Sequence, residues 1–347
     1  MGETMWAAVL NGVSDLRVEE VPRPELTDPC HAMVRVRSVG ICGSDLHFYT
    51  EGRIGDFIVE EPLILGHEAA GEVIAVGEAV TCLQVGDRVA IEPGYPDRTC
   101  RLCKQGRYNL CESVTFLATP PVDGAFCEYL SWPADFLYKL PEALSLDEGA
   151  MIEPLSVGLH AVRMAAVSPG QSVAVFGAGP VGLATLQAAL AAGATTAVVV
   201  DSVPYRLEAA RSLGATHTLA AGAENVAQIR DLTEGDGPHV TFECAGAIPA
   251  LQAALRATRS GGHVQLVGMP SQTDPQIPVY EIIARELQVT GLFRYANTYP
   301  AGIELVQARR VDVQALITHH FPLDEAPHAL DWVEHNKDQV IKAVIHP

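Results

Sequence analysis

Val173-Ala174-Val175-Phe176-Gly177-Ala178-Gly179-Pro180-Val181-Gly182 sets an apolar, β-prone run directly before three glycines in the spacing G-x-G-x-x-G. Behind it, Gly182 to Ala192 is rich in alanine and leucine and stops at Gly193, as a helix with a glycine C-cap does. A second apolar run, Thr196 to Val200, follows and ends on Asp201, 19 residues after Gly182. The pattern predicts strand, tight turn, helix, strand. The first glycine permits the turn, the second lets the backbone approach a pyrophosphate, and the third lets helix and strand pack closely. The start of the helix offers free N–H groups and a positive dipole to phosphates. Asp201 stands where a carboxylate meets a ribose hydroxyl. It would repel a 2′-phosphate, which favours NAD over NADP. Arg206 reads either as an adenine-stacking residue or as a surface ion pair. The competing reading of the whole stretch is a glycine-rich turn that binds nothing.

Working outward, the alternation continues. Tyr205 to Leu213 reads as a helix stopped by Gly214, and Val240 to Glu243, His263 to Val267 and Leu287 to Thr290 read as strands. Strands alternating with helices imply an α/β domain with a doubly wound parallel sheet and right-handed crossovers. After about residue 291 mixed helix and strand are expected. The first 150 residues differ. Val34-Arg35-Val36-Arg37 alternates as a half-buried strand does. Gly71 to Val80 and Asp87 to Ile91 are β-branched runs bounded by glycine, and prolines punctuate the whole stretch. At about 150 residues per domain, 347 residues suggest two domains.

Composition narrows the function. Hydrophobic residues make up 48%, enough for a sizeable core. The formal net charge of −19 would repel phosphate backbones and anionic membrane surfaces, so neither is an expected partner. No uncharged apolar run reaches the roughly 18 residues of a membrane span. The start, Met1-Gly2-Glu3-Thr4, carries no basic region before an apolar one, so the expected location is the cytoplasm. Eight cysteines in such a chain point to metal rather than to a disulfide scaffold.

Two metal sites suggest themselves. Cys42 follows Gly40-Ile41, and His67-Glu68 follows Gly66, 25 residues later. Thiolate and imidazole suit Zn²⁺, and a catalytic site takes three protein ligands and an open position. Both segments follow glycine, where turns let side chains converge; the alternative is that Cys42 and His67 are core residues. Glu153 is a carboxylate inside an apolar stretch and needs a partner there. The second site is Cys100-x2-Cys103-x7-Cys111, whose three sulfurs could wrap one ion. A structural zinc needs four ligands, and Asp97, three residues upstream of Cys100, could supply the last oxygen. Its alternative is a loop of free thiols.

These residues and several further blocks resemble the zinc-dependent medium-chain dehydrogenases, and among them the polyol branch that acts on sorbitol and xylitol. Gly66-His67-Glu68-x2-Gly71-x5-Gly77-x2-Val80 and Gly40-Ile41-Cys42-Gly43-Ser44-Asp45 match the family's zinc segments. Gly52 to Val59, Gly106 to Asn109, Ala118 to Pro121, Glu153 to His160 and Phe293-Arg294-Tyr295-x-Asn297-Thr298 match the polyol branch, nearly end to end. The resemblance implies a β-rich, GroES-like catalytic domain at 1–155 and 291–347, with a Rossmann NAD domain at 156–290 inserted into it. It implies a catalytic zinc among Cys42, His67 and Glu68, approached by Glu153 directly or through water. One structural zinc at Asp97, Cys100, Cys103 and Cys111 is expected beside it. Two departures stand out: Phe48 occupies a position where the branch often has tyrosine, and Asp97 replaces a cysteine.

The expected activity is reversible oxidation of a secondary hydroxyl of a polyol to the ketose with NAD. Ser44 could take the hydroxyl proton, and the resemblance implies a relay from Ser44 through the nicotinamide ribose to His47. It also implies that Arg294 and Tyr295, with Phe48 and Glu153, face the substrate. Gly177, Gly179, Val181, Gly182, Asp201, Arg206, Val267 and Phe293 hold the cofactor. A homo-oligomer, a tetramer in the resembled branch, is expected. A related sugar, diol or threonine dehydrogenase is the alternative within the class, and a catalytically idle nucleotide-binding relative is the alternative outside it.

Overall fold

In the computed structural model, which describes residues 3–270 and 274–347, the strand Ser172–Phe176 occupies the middle of a six-stranded sheet. Its neighbours run in the order His217–Ala220, Thr196–Asp201, Ser172–Phe176, Val240–Glu243, His263–Leu266, Gln288–Gly291. Every pair is parallel. The first strand of the unit is central and the order reverses beside it, which is the doubly wound arrangement. Helices cover the faces, so the central strands are continuously apolar; Val173 to Phe176 and Ala197 to Val200 are all buried. The helix after the fingerprint runs Pro180–Ala191 and the next runs Pro204–Ser212. Each starts before the alanine- and leucine-based reading because proline is favoured in a first helical turn. The edge strand His217–Ala220 is only half buried and lacks the apolar run that marked the others.

The β-rich part builds on the strand His31–Gly40, within a seven-stranded sheet. Along the sheet the order is Leu137–Lys139, Arg88–Ile91, Glu68–Val76, His31–Gly40, Lys342–His346, Ile317–Pro322, with Tyr129–Pro133 also pairing with His31–Gly40. The last two strands come from the far end of the sequence. Thr4–Gly12, Asp15–Pro22 and Leu63–Ile64 form a three-stranded sheet beside the same core, where Leu10, Leu65, Ile91 and Phe126 are fully enclosed.

The chain divides into two compact units. One holds the described residues through Glu153 with Tyr299–Gln307 and Val313–Pro347; the other holds Pro154–Thr298 and Ala308–Asp312. The expected junction at 155/156 falls at 153/154, and that at 290/291 falls at 298/299. The later boundary has a physical cause. After the last strand the chain stays on the sheet, with Leu292 N–H donating to Leu266 O at 3.0 Å and Arg163 holding Asn297 O at 2.7 Å. The short return at 308–312 is secured by Gln187, whose amide donates to Asp312 O and accepts from Asp312 N–H at 3.0 and 2.7 Å.

Candidate functional site

Cys42 is the N-cap of the helix Gly43–Glu51, and its backbone N–H donates to Asp45 Oδ2 at 2.9 Å. The other oxygen of Asp45 accepts from Gly66 N–H at 3.0 Å and lies 3.7 Å from His67 Nδ1. One fully buried carboxylate therefore ties the Cys42 turn to the His67 turn. Gly66 has φ +87, and a Cβ there would meet the Phe126 ring at 2.6 Å. Glu68 opens its strand opposite Gly40, where a Cβ would lie 2.1 Å from Glu68 Oε2. The result is that the ligand atoms of Cys42, His67 and Glu68 all lie within 4.8 Å of one another, with His67 and Glu68 buried.

The electrostatics suit a cation. Burial alone would lower the His67 pKa, but Asp45 and Cys42 outweigh it and hold the ring well above the ordinary histidine value. The same anionic neighbours that hold a proton on the buried imidazole also favour a metal cation that displaces it, and a thiolate, an imidazole and a carboxylate are zinc ligands. The residues present therefore fit a zinc ion.

Sequence reasoning missed Lys342. Its ammonium is buried and donates to both oxygens of Glu68 at 2.7 Å and to Ile41 O at 2.8 Å. Burial alone would lower its pKa, yet Glu68 and Cys42 hold it raised. The signal was available: Val340-Ile341-Lys342-Ala343-Val344-Ile345 carries a charge inside an apolar run, which needs a partner just as Glu153 does. Glu153, at the start of the helix Ile152–Met164, is buried but stands outside the three-residue cluster. It bears electrostatically on Lys342 and on Glu92. Glu92 is a second buried carboxylate that went unnoticed. It accepts from Tyr108 and Tyr138 hydroxyls at 2.7 and 2.9 Å, and burial pushes its pKa up to about 7.

Ser44 is half-buried in the first turn of the Cys42 helix. His47, one turn on, is exposed, its Nδ1 3.1 Å from Glu51 Oε1. Phe48 is buried within the main core of this unit.

The sulfur lobe closes on itself. Cys100 caps the short helix Arg101–Lys104, with its sulfur 3.3 Å from Cys103 Sγ. Cys103 Sγ lies 3.4 Å from Asp97 Oδ1, and the ligand atoms of Asp97, Cys100, Cys103 and Cys111 all fall within 4.8 Å of one another. A zinc tetrahedron with bonds of about 2.0–2.3 Å has edges of roughly 3.3–3.8 Å, so these separations already fit one. The Asp97 carboxylate is held below its usual range by the N–H groups of Cys100 and Thr99, while desolvation and the neighbouring thiols and Asp97 push Cys103 up to about 12.

In the second unit, Gly177 takes φ +95, and a Cβ there would lie 2.8 Å from Ala245 N. A Cβ at Gly182 would lie 1.8 Å from Gly177 O, so the turn closes only with glycine at both positions. Gly179 is the N-cap of the following helix and faces Arg206 across an otherwise open space. Asp201 ends its strand with Oδ2 accepting from Ala178 N–H at 2.6 Å and Oδ1 from Val203 N–H at 2.8 Å. It braces the fingerprint turn and retains acceptor capacity for a ribose hydroxyl. These residues fit a dinucleotide. Val181 is half-buried in the first turn of that helix, and Val267, also half-buried, follows the strand His263–Leu266 and donates to Glu243 O at 2.8 Å. Phe293 is exposed, with the Arg294 guanidinium 4.8 Å from its ring centre, and Tyr295 is buried.

Comparison with known proteins agrees with both halves of this description. Residues 28–142 match the alcohol dehydrogenase GroES-like domain, and residues 180–308 match the zinc-binding dehydrogenase domain. The chain is 45% identical over 346 residues to the sorbitol dehydrogenase of Bacillus subtilis (strain 168), covering 99% of this chain and 98% of that protein. It is 47% identical over 326 residues to the sorbitol dehydrogenase of Homo sapiens, covering 93% and 91%. Among solved structures, 2R,3R-butanediol dehydrogenase from Bacillus subtilis superposes with a TM-score of 0.90 at 34% identity, over 99% of each chain.

Proposed function

The chain belongs to the zinc-dependent medium-chain alcohol dehydrogenase family, and on that premise we propose that it oxidises a secondary hydroxyl of a sorbitol- or xylitol-type polyol to the ketose, reversibly, with NAD. It is an oxidoreductase acting on CH–OH groups. The observation that carries the reading is the cluster of half-buried Cys42 with buried His67 and Glu68, assembled by Asp45, Gly40 and Gly66 around a place that favours positive charge.

Bound zinc supplies Lewis acidity, which lowers the pKa of a nearby hydroxyl from about 16 toward about 7, and the dinucleotide supplies the hydride acceptor. The chain's own residues do the rest. Cys42, His67 and Glu68 hold the metal, Lys342 fixes the Glu68 carboxylate, and Glu153 bears electrostatically on Lys342. Ser44 Oγ accepts the substrate's hydroxyl proton as it gives up its own toward the exposed His47 imidazole, which is paired with Glu51 and releases a proton to solvent. Asp201 selects NAD by accepting from the ribose and repelling a 2′-phosphate. Arg294 and Tyr295 bind the hydroxyls that do not react. Asp97, Cys100, Cys103 and Cys111 hold a second, structural zinc. The reading includes a homo-oligomer, a tetramer, in the cytoplasm. Among the described residues no helix is long and apolar enough to cross a membrane.

A diol is the second reading, supported by the likeness to a butanediol dehydrogenase and by phenylalanine rather than tyrosine at position 48. The deciding experiment is a substrate panel of sorbitol, xylitol and 2,3-butanediol with NAD and with NADP, on zinc-loaded and zinc-depleted enzyme. The polyol reading expects the highest kcat/KM on a polyol with NAD and loss of turnover without zinc. A preference for the diol, or full turnover after zinc removal, defeats it.

A further inference from the structure

Away from both zinc clusters, three ligand-bearing side chains meet at the edge of the seven-stranded sheet. Asp147 lies in the short helix Leu146–Ala150, His320 in the strand Ile317–Pro322 and His346 in the strand Lys342–His346. The two strands are parallel neighbours with Pro322 opposite His346 and His320 opposite Val344. Because side chains alternate along a strand, both histidines point to the same face, one diagonal step apart. Asp147 comes down onto that face. His346 Nε2 is 2.9 Å from Asp147 Oδ1, and His320 Nδ1 is 3.7 Å from Asp147 Oδ2. The two imidazole rings stack with centroids 5.2 Å apart and planes at 27°. One ligand atom from each residue falls within 4.8 Å of the others.

We propose that Asp147, His320 and His346 form a third cation site, which takes a divalent transition metal of the zinc class and exchanges it with solvent. Bonds of about 2.0–2.2 Å to nitrogen and oxygen give ligand–ligand edges of roughly 2.9 Å in an octahedron and 3.3–3.6 Å in a tetrahedron. The observed 2.9 Å to Oδ1 and 3.7 Å to Oδ2 bracket those values, and all three ligand atoms lie within 4.8 Å of one another. Two imidazoles and a carboxylate suit zinc, copper, nickel or cobalt and not calcium or magnesium. The carboxylate is aimed from behind, because the fully buried Ser38 donates its hydroxyl to Asp147 Oδ1 at 2.7 Å. Such outer hydrogen bonds orient metal-binding carboxylates. Two stacked imidazoles cannot both carry a proton cheaply beside one carboxylate, whereas one metal ion satisfies all three groups. The histidine side chains remain 40% and 45% exposed, which leaves coordination positions for water and a route for exchange.

The site shares no residue with the Cys42 cluster, but the two lie on common elements. Lys342 and His346 stand on one strand, and Asp147 precedes Glu153 by six residues. An ion here would tie the helix leading to Glu153 to the strand that carries Lys342.

The test is equilibrium dialysis of the zinc-loaded, active protein against rising free Zn²⁺, with the thermal midpoint recorded in parallel. The unaltered protein is expected to take up one exchangeable equivalent beyond its tightly held zinc, with a rise in midpoint. His346→Gln, His320→Gln and Asp147→Asn should each weaken that equivalent by at least about tenfold. Tightly held zinc and basal activity should stay as they were in all three, which shows that each variant is folded. If the unaltered protein takes up no extra equivalent, or if the variants retain it undiminished, the site does not exist.

Discussion

Lys342→Met removes the buried ammonium and keeps the volume of its stem. In the zinc-free protein the loss falls on Glu68, whose two oxygens each lose a 2.7 Å partner, and on Ile41 O, which loses one at 2.8 Å. Both side chains of the pair are almost wholly enclosed, at 2% and 1% exposure, so water cannot replace the ammonium. Breaking a buried pair on one side costs about 3–5 kcal/mol. For a unit of this size that corresponds to a fall in unfolding temperature of about 6–20 °C. On the proposed assignment zinc changes the sum, because a divalent ion held by Cys42, His67 and Glu68 would supply the missing positive charge. The expected outcome is therefore a large destabilisation of the metal-free protein and a much smaller one of the zinc-loaded protein, read by calorimetry on paired samples. Equal losses in the two states would refute the idea that metal and ammonium compensate the same carboxylate. A loss under about 1 kcal/mol in the metal-free protein would refute the ion pair itself.

Gly182→Ala should abolish dinucleotide binding, because its Cβ would sit 1.8 Å from Gly177 O; zinc content should be unchanged, and retained NAD binding by fluorescence titration would contradict the turn geometry. Cys103→Ser should lower the tightly bound zinc from two ions to one per chain by metal analysis, and an unchanged content would remove the structural site. The pair of His346 and Asp147 should leave a signature in the pH dependence of stability. The His346 pKa is raised chiefly by its hydrogen bond to Asp147, so its contribution is complete below the unfolded histidine value of about 6.5 and fades as pH rises through the folded one. Burial alone would raise Asp147, but His346 and Ser38 hold it lowered, so its contribution is complete above about 3.9 and fades as pH falls through the folded value. With His320 as the other titrating group facing the pair, the stability difference between unaltered protein and His346→Gln, measured without added metal, should be greatest between roughly pH 4 and 6.5. A difference that does not vary with pH would contradict the pairing.

The parallel sheet was legible because its signals are local. Gly177, Gly179 and Gly182 announce a turn whose sterics admit no side chain at two of the three, and Val173 to Phe176 must be a buried strand because it is apolar on both faces. His217–Ala220 escaped notice because an edge strand is half wet and loses that signature. In the proposed metal cluster, Cys42 and His67 were singled out by the glycines before them, but Asp45, which joins the two turns, was given no role of its own. Lys342 could not be assigned by spacing, since its partner lies 274 residues away. Tertiary pairing of strands decides such contacts, and no local pattern encodes it. The same holds for Asp147, His320 and His346, which come from separate elements. Glu153 was singled out by its apolar surroundings, yet it stands outside the three-residue cluster.

The strand that carries Lys342 also fixes an order of assembly. On the ribosome, Cys42, His67 and Glu68 emerge early, and the whole parallel-sheet unit from Pro154 to Thr298 is made before Lys342 appears. That unit has mostly nearby partners for its strands and can fold while synthesis continues. The seven-stranded sheet has no such freedom, because His31–Gly40 must wait for Lys342–His346 to close beside it. Until then Glu68 has no ammonium to face, and a nascent chain that captures zinc early does so with an unbalanced carboxylate. Contacts of such long sequence separation are slow to form. Maturation of the proposed metal centre would thus depend on the final stretch of translation, and a lesion that slows closure of that one strand is expected to delay it before it disturbs the nucleotide unit.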